Sequence, residues 1–171
     1  MYKINRLRDY SMIMLAFFAQ VFLSDFLKVG GIRPNLMIMM TVFFALFTDE
    51  RFGLEVGFVC GMILDIFSLR LFGLNTILFS FAGYFIGRFN SKIYRESIIT
   101  HAIMIFAASF FILSLYRLFI GIQNKYLVSY LSFGFIFSPV VFLSAAYNSF
   151  LGVFVYTLLN RILRLGETSI L

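Results

Sequence analysis

The charged residues divide the chain into long uncharged runs that are rich in apolar side chains. These runs are continuous rather than alternating between apolar and polar residues, so they predict α-helices and not the strands of a barrel. A helix needs about 20 residues to cross about 30 Å of hydrocarbon. The uncharged runs cover residues 10–24, 34–48, 56–64, 71–87, 97–116 and 126–160.

Six membrane spans fit this pattern, at about 10–29, 35–49, 53–68, 72–90, 97–119 and 135–160. The second and third are short, because fifteen residues of helix cover only about 22 Å. They could be tilted, could thin the bilayer locally, or could form a re-entrant hairpin. In the last run, Ser132-Phe133-Gly134 and Pro139 predict a break, which would leave 126–133 along the interface.

Composition supports a membrane protein. Of 171 residues, 61% are hydrophobic and 13% are charged, whereas soluble domains are about 45–50% apolar and about 25% charged. The sequence therefore predicts an all-α integral membrane protein, with residues 1–171 forming a single transmembrane domain built as a six-helix bundle. We expect the first helix to be retained, because no A-x-A cleavage site follows it.

The basic residues predict the orientation. With the N-terminus inside, nine Lys and Arg residues fall in inside segments and five in outside segments, as the positive-inside rule requires. Six spans then place both termini in the cytoplasm, in a multi-pass protein of the bacterial cytoplasmic membrane. The net charge of +6 is explained by topology and by attraction to anionic lipid in the bilayer. It does not indicate nucleic acid as a partner.

The sequence contains no pattern typical of an enzyme. The single Cys60 lies in an apolar span and is expected to be a small buried side chain, and the single His101 has no neighbouring metal ligands. No HExxH, GxSxG or Walker pattern is present. We therefore predict no catalytic residues, no cofactor and no metal.

Three acidic residues fall within the predicted spans, where ionisable groups are costly. Asp25 and Asp65 lie near outer span ends and Glu55 lies near an inner end. One interpretation is that interfacial ion pairs fix the helix ends; the other is that Asp65 organises an outer cavity or a partner contact. A transported proton or ion is a third alternative. The predicted basic partners are Lys28, Arg33 and Arg70 outside, and Arg51 and Arg88 inside.

Small residues recur every four positions in the third and fourth spans. The third carries Gly53, Gly57, Gly61 and Asp65, and the fourth carries Gly83 and Gly87. Residues four apart share a helix face, and a glycine face lets another backbone approach closely. This face predicts either packing of spans three and four against each other or docking of a partner's transmembrane helix.

The first outside loop reads Gly30-Gly31-Ile32-Arg33-Pro34-Asn35-Leu36. The paired glycines are expected to end the first helix, and Pro34 to set the start of the next. The Asn35 side chain can bond freed backbone groups. We predict a sharp, ordered turn in which Arg33 is extended.

Four segments carry a resemblance to the rod shape-determining protein MreD family. They are Pro34-Asn35-Leu36, Gly57-Phe58-x-x-Gly61-x-x-x-Asp65, Phe72-Gly73-Leu74-Asn75 and Gly83-Tyr84-x-x-Gly87-Arg88. The resemblance is specific over about residues 30–90 and rests on hydropathy beyond them. Asn35 departs from the family, which commonly has Asp there, so a required carboxylate is not carried over to this loop.

The resemblance implies a non-enzymatic inner-membrane scaffold of the elongasome, the cell-elongation machinery. It implies an MreC-like single-span partner, direct or indirect association with actin-like MreB, the glycosyltransferase RodA and a transpeptidase, and a role in organising peptidoglycan synthesis. It also implies a fold like that of the S-component of energy-coupling-factor vitamin transporters.

Two alternatives concern small ligands. A vitamin-binding S-component would need an outward pocket, for which the polar candidates are Asn75, Thr76, Asn124 and Asn148. An outer pocket for a lipid-linked wall precursor or a phospholipid would instead use basic head-group contacts. The candidates for these are Arg33, Arg70 and Lys125.

Overall fold

A computed structural model describes residues 4–68, 71–90, 97–123 and 138–163, and these ranges contain six α-helices and one isolated β-bridge. The helices are α1 (Arg6–Leu23), α2 (Leu36–Phe47), α3 (Glu50–Phe67), α4 (Leu74–Phe89), α5 (Ile98–Gln123) and α6 (Pro139–Leu163). Each overlaps one of the six predicted segments. The predicted interfacial segment 126–133, and the residues Arg70, Asn124 and Lys125, lie outside the described ranges.

Two of the helices are long and apolar enough to cross a membrane by themselves. Ile98–Ile122 and Pro139–Leu163 each contain 25 residues, with mean hydropathies of 2.2 and 1.5. At 1.5 Å per residue each is about 37 Å long. These lengths are sufficient for the hydrocarbon thickness.

The first helix begins and ends earlier than the sequence predicts. Asn5 caps it by accepting a hydrogen bond from the backbone N–H of Arg8, so α1 includes a turn of charged residues before the apolar run. It ends at Leu23, and the prediction that Gly30-Gly31 ends it is wrong. The two glycines instead form a tight turn, with φ of +58° and +86°, between the bridged residues Val29 and Ile32. Both central residues of such a turn need positive φ, which glycine adopts without strain.

The short helix α2 is the centre of the bundle. Every residue from Met37 to Phe47 is buried, and α1, α3, α4, α5 and α6 all pack against it. At 12 residues it is only about 18 Å long. A helix enclosed by other helices does not have to match the thickness of the bilayer. The short length of α2 is therefore compatible with its place at the centre of the bundle.

Two antiparallel hairpins enclose this central helix. The most extensive contact in the described bundle is between α3 and α4, and the next is between α5 and α6. Helix α1 packs on α2 at the side. We call the two ends of the bundle the Arg6 end, where α1 begins, and the Pro34 end, where α2 begins.

Candidate functional site

The glycine face of α3 is covered by α4. A Cβ built on Gly53 or Gly57 would collide with the backbone carbonyl oxygen of Gly83 or Phe79, and one built on Gly61 would lie 2.5 Å from the Cα of Thr76. The obstacle is backbone at each position, so the two helices are in close contact along three turns. The structure therefore places these glycines in the α3–α4 contact, and the face is not open to a partner's helix.

The fourth residue of that face, Asp65, caps α4. Its carboxylate accepts hydrogen bonds from the backbone N–H and side-chain Nδ2 of Asn75, at 3.2 and 2.9 Å, and from the backbone N–H and Oγ1 of Thr76, at 2.8 and 2.6 Å. The N-cap residue of α4 is Gly73, which has no side chain to do this. A negative group at a helix N-terminus is favoured by the exposed N–H groups and by the helix dipole.

Asp65 thus has a different bonding pattern from the predicted ion pair. The side chain is fully buried, and its described bonds come from α4, while the predicted partner Arg70 lies outside the described residues. Burying a carboxylate is costly unless it is hydrogen-bonded. Four bonds to one helix end satisfy that requirement, and they fix the position of α4 along α3.

Side chains at the C-terminal end of α4 hold the other end of the same hairpin together, one from its last turn and one from its C-cap. Arg88 donates to Glu50 at 3.1 Å, and the Asn90 side chain donates to the backbone carbonyl of Thr48. A Cβ on Gly87 would lie 2.7 Å from the carbonyl oxygen of Asp49. The α3–α4 hairpin is therefore held at both ends and packed closely between them.

Glu55 pairs with α1 and not with the predicted partners Arg51 and Arg88. Its carboxylate contacts the guanidinium of Arg6 at 3.0 Å and accepts a hydrogen bond from the hydroxyl of Tyr10. The partner of Glu55 is thus a residue of α1, which begins four residues before its predicted start. The contact joins α1 to α3 at the Arg6 end.

At the Pro34 end, the predicted pair of Asp25 and Arg33 forms across the loop. The two side chains lie 2.7 Å apart, but they are 70% and 58% exposed. Exposed pairs of this kind contribute little, about 0–1 kcal/mol. Pro34 immediately precedes Asn35, and Asn35 is the N-cap of α2, accepting from the N–H of Ile38 at 3.2 Å.

A polar network that the sequence analysis missed surrounds the start of α2. The Gln20 side chain of α1 accepts from the N–H of Leu36 at 2.8 Å, and Asn148 of α6 accepts from the N–H of Asn35 at 2.9 Å. Asn148 also donates to Ser109 of α5 at 3.1 Å. The sequence signal for this network was the presence of isolated Gln and Asn side chains inside predicted spans, since a polar side chain in an apolar helix needs a hydrogen-bonding partner.

This bonding also accounts for three of the four residues proposed to line a vitamin pocket. Asn75 and Thr76 bind Asp65, and Asn148 is buried in the network at the start of α2. They lie on internal contacts between helices and do not converge on one cavity.

Cys60 and His101 are both fully buried. The His101 ring lies against Tyr156, with centroids 3.9 Å apart, and stacks on Phe47 at 5.5 Å. Within the described residues there is no group of three His, Cys, Asp or Glu side chains that could hold a metal ion. Both side chains are part of the packing between helices.

The chain matches the model of a known protein family. The sequence model of the family described as rod shape-determining protein MreD matches residues 6–162, which extends the resemblance from 30–90 to nearly the whole chain. No curated protein and no solved structure matches the chain. The matched range includes all of α1 to α5 and all but the last residue of α6.

Proposed function

Because the chain belongs to the MreD family of membrane proteins that determine rod shape, we propose that it is a non-enzymatic scaffold of the bacterial elongation machinery. It spans the cytoplasmic membrane six times, with both termini in the cytoplasm. It binds the transmembrane helix of an MreC-like protein and thereby helps to organise peptidoglycan synthesis. The observation that carries this proposal is the family match over residues 6–162.

The bonding of the buried polar groups supports a scaffold. Asp65 and Asn148 bind other helices of the same bundle, and Cys60 and His101 are packed among them. These groups fix the positions of helices and are not arranged around a shared cavity. A rigid bundle of this kind can present a constant surface to partners within the bilayer.

Partner recognition must use the outer surface of the bundle, since the glycine face is covered by α4. That surface is rich in exposed aromatic side chains, among them Phe18 on α1, Phe58 on α3, Phe81 on α4, Phe111 on α5 and Phe142 on α6. Lipid tails offer no hydrophobic drive for helix association, so close packing of such side chains would supply the binding energy.

Cysteine crosslinking in cells tests the proposal. Single cysteines replace those five phenylalanines one at a time in a Cys60→Ala chain, and are paired with cysteines along the transmembrane helix of the MreC-like protein from the same cell. We expect crosslinks from one helix or two adjacent helices. The matched control is the Cys60→Ala chain without an added cysteine, and the unaltered chain, whose single Cys60 is buried, should give no crosslink either.

Co-purification in mild detergent provides the second measurement. The MreC-like protein should remain bound to the intact chain and be lost when the crosslinking position is changed to a charged residue. Absence of both crosslinks and co-purification would show that this chain does not bind such a partner.

A further inference from the structure

Helices α3 and α4 each carry a stripe of exposed apolar side chains. The members of each stripe are four residues apart, so they lie on one face of their helix. The stripe of α3 consists of Leu54, Phe58, Met62 and Ile66, and that of α4 of Ile77, Phe81, Phe85 and Phe89. Leu54 and Phe81 line the same surface depression, so the two stripes adjoin. We call them together the α3–α4 outer face.

This outer face is short along the helix axes. From the first to the last residue of each stripe, the helix rises about 18 Å. At the Arg6 end both stripes reach charged residues, where Arg88 and Glu50 form an ion pair at 3.1 Å. At the Pro34 end both helices stop within one turn of the stripes, and non-helical backbone is not tolerated in contact with hydrocarbon. Tilting the helices would only reduce the apolar height further.

The exposed apolar stripes on the other side of the bundle are much longer. On α5 such side chains extend from Ile99 to Phe119, and on α6 from Val140 to Ile162. These spacings correspond to about 30 and 33 Å of helix, which match a hydrocarbon thickness of about 30 Å. The two sides of the bundle therefore differ in apolar height by about 12 Å.

A short helix pair can meet a thicker bilayer by oligomerising, by extending flanking side chains or by thinning the bilayer. Contacts between membrane helices are enriched in small residues. The glycines of α3 and α4 are all used inside the hairpin, where an added Cβ would meet backbone of the partner helix or its N-cap. The guanidinium of Arg88 is held by Glu50. The outer face thus presents large side chains to its surroundings, which favours lipid contact and thinning.

We propose that the α3–α4 outer face contacts lipid directly and that the bilayer beside it is thinner than the bilayer beside α5 and α6. This thin region selects phospholipids with short acyl chains, because such chains fit a low apolar face with less deformation than long chains. The thinning requires only that the bundle lies in a membrane and does not depend on the MreC-like partner. It leaves α1, α5 and α6 as the surface for that partner.

Quenching of single tryptophans by brominated lipid tests the selection of acyl chains, since the chain contains no tryptophan of its own. Phe58→Trp places the probe on the outer face, and Phe150→Trp, at an exposed position of α6, is the matched control. Each purified variant is reconstituted in brominated dioleoylphosphatidylcholine, which is then diluted with unbrominated dimyristoleoyl- or dioleoylphosphatidylcholine. We expect the short-chain lipid to relieve quenching about threefold more effectively than dioleoylphosphatidylcholine in the Phe58→Trp protein, and no such preference in the control.

Moving the charged boundary tests the cause of this preference. Arg51 is exposed and lies one turn before Leu54, so Arg51→Leu extends the apolar stripe by about 4.5 Å. It should weaken the short-chain preference, whereas Arg51→Gln keeps the boundary polar and should not. If Phe58→Trp does not fold, Phe81→Trp on α4 replaces it.

Four results would overturn the proposal. Two are an equal chain-length preference at both tryptophan positions and an unchanged preference after Arg51→Leu. A third is the absence of quenching in the Phe58→Trp protein, which would show that a second copy of the chain covers the face. The fourth is a crosslink in cells from position 58 or 81 to the MreC-like helix. The absence of crosslinks from every position would instead contradict partner binding and leave the thinning intact.

Discussion

At the level of single residues, the strongest constraints lie where α3 meets α4. Gly57 lets the backbone of Phe79 approach closely, and Asp65, further along the same face, caps α4. The four-residue spacing placed both on one face, so the sequence was sufficient to identify the face. It left open whether the covering helix was internal, because a glycine face alone does not specify its partner.

The Asp65 carboxylate should contribute measurably to stability. Asp65→Asn keeps one acceptor oxygen but turns an NH₂ group toward α4 donors, so we expect the free energy of unfolding in detergent to fall by about 1–3 kcal/mol. Asp65→Leu should lower it further. The matched control is Asp25→Asn, which disrupts the exposed pair with Arg33 and should change it by less than about 1 kcal/mol. Equal effects of the two Asn variants would contradict the capping role.

The contact at Gly57 should not tolerate a methyl group. Gly57→Ala places a Cβ against a backbone carbonyl, and such overpacking costs about 1–3 kcal/mol. The same substitution at Gly152 meets the end of the flexible Ile105 side chain, so Gly152→Ala should be close to neutral. Thermal unfolding of the two variants measures the difference, and a Gly57→Ala protein as stable as Gly152→Ala would show that α3 and α4 can separate at no cost.

At the level of elements, α2 is the least typical helix. It is buried over almost its whole length, and its first N–H groups are bonded by side chains of α1 and α6 as well as by its own cap. Its apolar composition and its start at Asn35 were readable from the sequence. Its central position was not, because a uniformly apolar run looks the same facing lipid or facing protein.

Loss of the Asn148 amide should loosen the start of α2. Asn148→Ala leaves the N–H of Asn35 without its acceptor, so hydrogen exchange of residues 35–38 should accelerate by about tenfold, the equivalent of one lost hydrogen bond of about 1.4 kcal/mol. Exchange of the α3 amides should not change. Ser144→Ala is the control on the same helix, since that exposed hydroxyl bonds only within α6. Unchanged exchange at 35–38 would exclude a role for Asn148 in holding α2.

At the level of the whole molecule, the helices form two antiparallel hairpins around α2. At the Arg6 end, Glu55 binds Arg6 and Tyr10 and so joins α3 to α1. At the Pro34 end, the side chains of Gln20 and Asn148 join α1 and α6 to the start of α2 at Asn35. The contacts that join distant helices are thus concentrated at the ends of the bundle. Between them, apolar and aromatic packing fills the interior.

The proposed six spans would place both termini on one side of the membrane, and cysteine labelling from outside the cell tests this proposed topology. In a Cys60→Ala chain, Lys28→Cys in the loop before α2 should react with an impermeant maleimide. Ile4→Cys and Ser169→Cys should react only after the membrane is opened. Labelling of just one terminus in intact cells would indicate an odd number of spans.

The sequence by itself determined the membrane class, the six apolar segments, the shared face of Gly53, Gly57, Gly61 and Asp65, and the family. These follow from hydropathy, helical periodicity and local spacing, which depend only on near neighbours in the chain. The tertiary structure decided which helix covers that face, that Glu55 binds Arg6, and that Gln20 and Asn148 hold the start of α2. Those contacts join residues 16 to 113 positions apart, and only the packing of helices brings such residues within hydrogen-bonding distance.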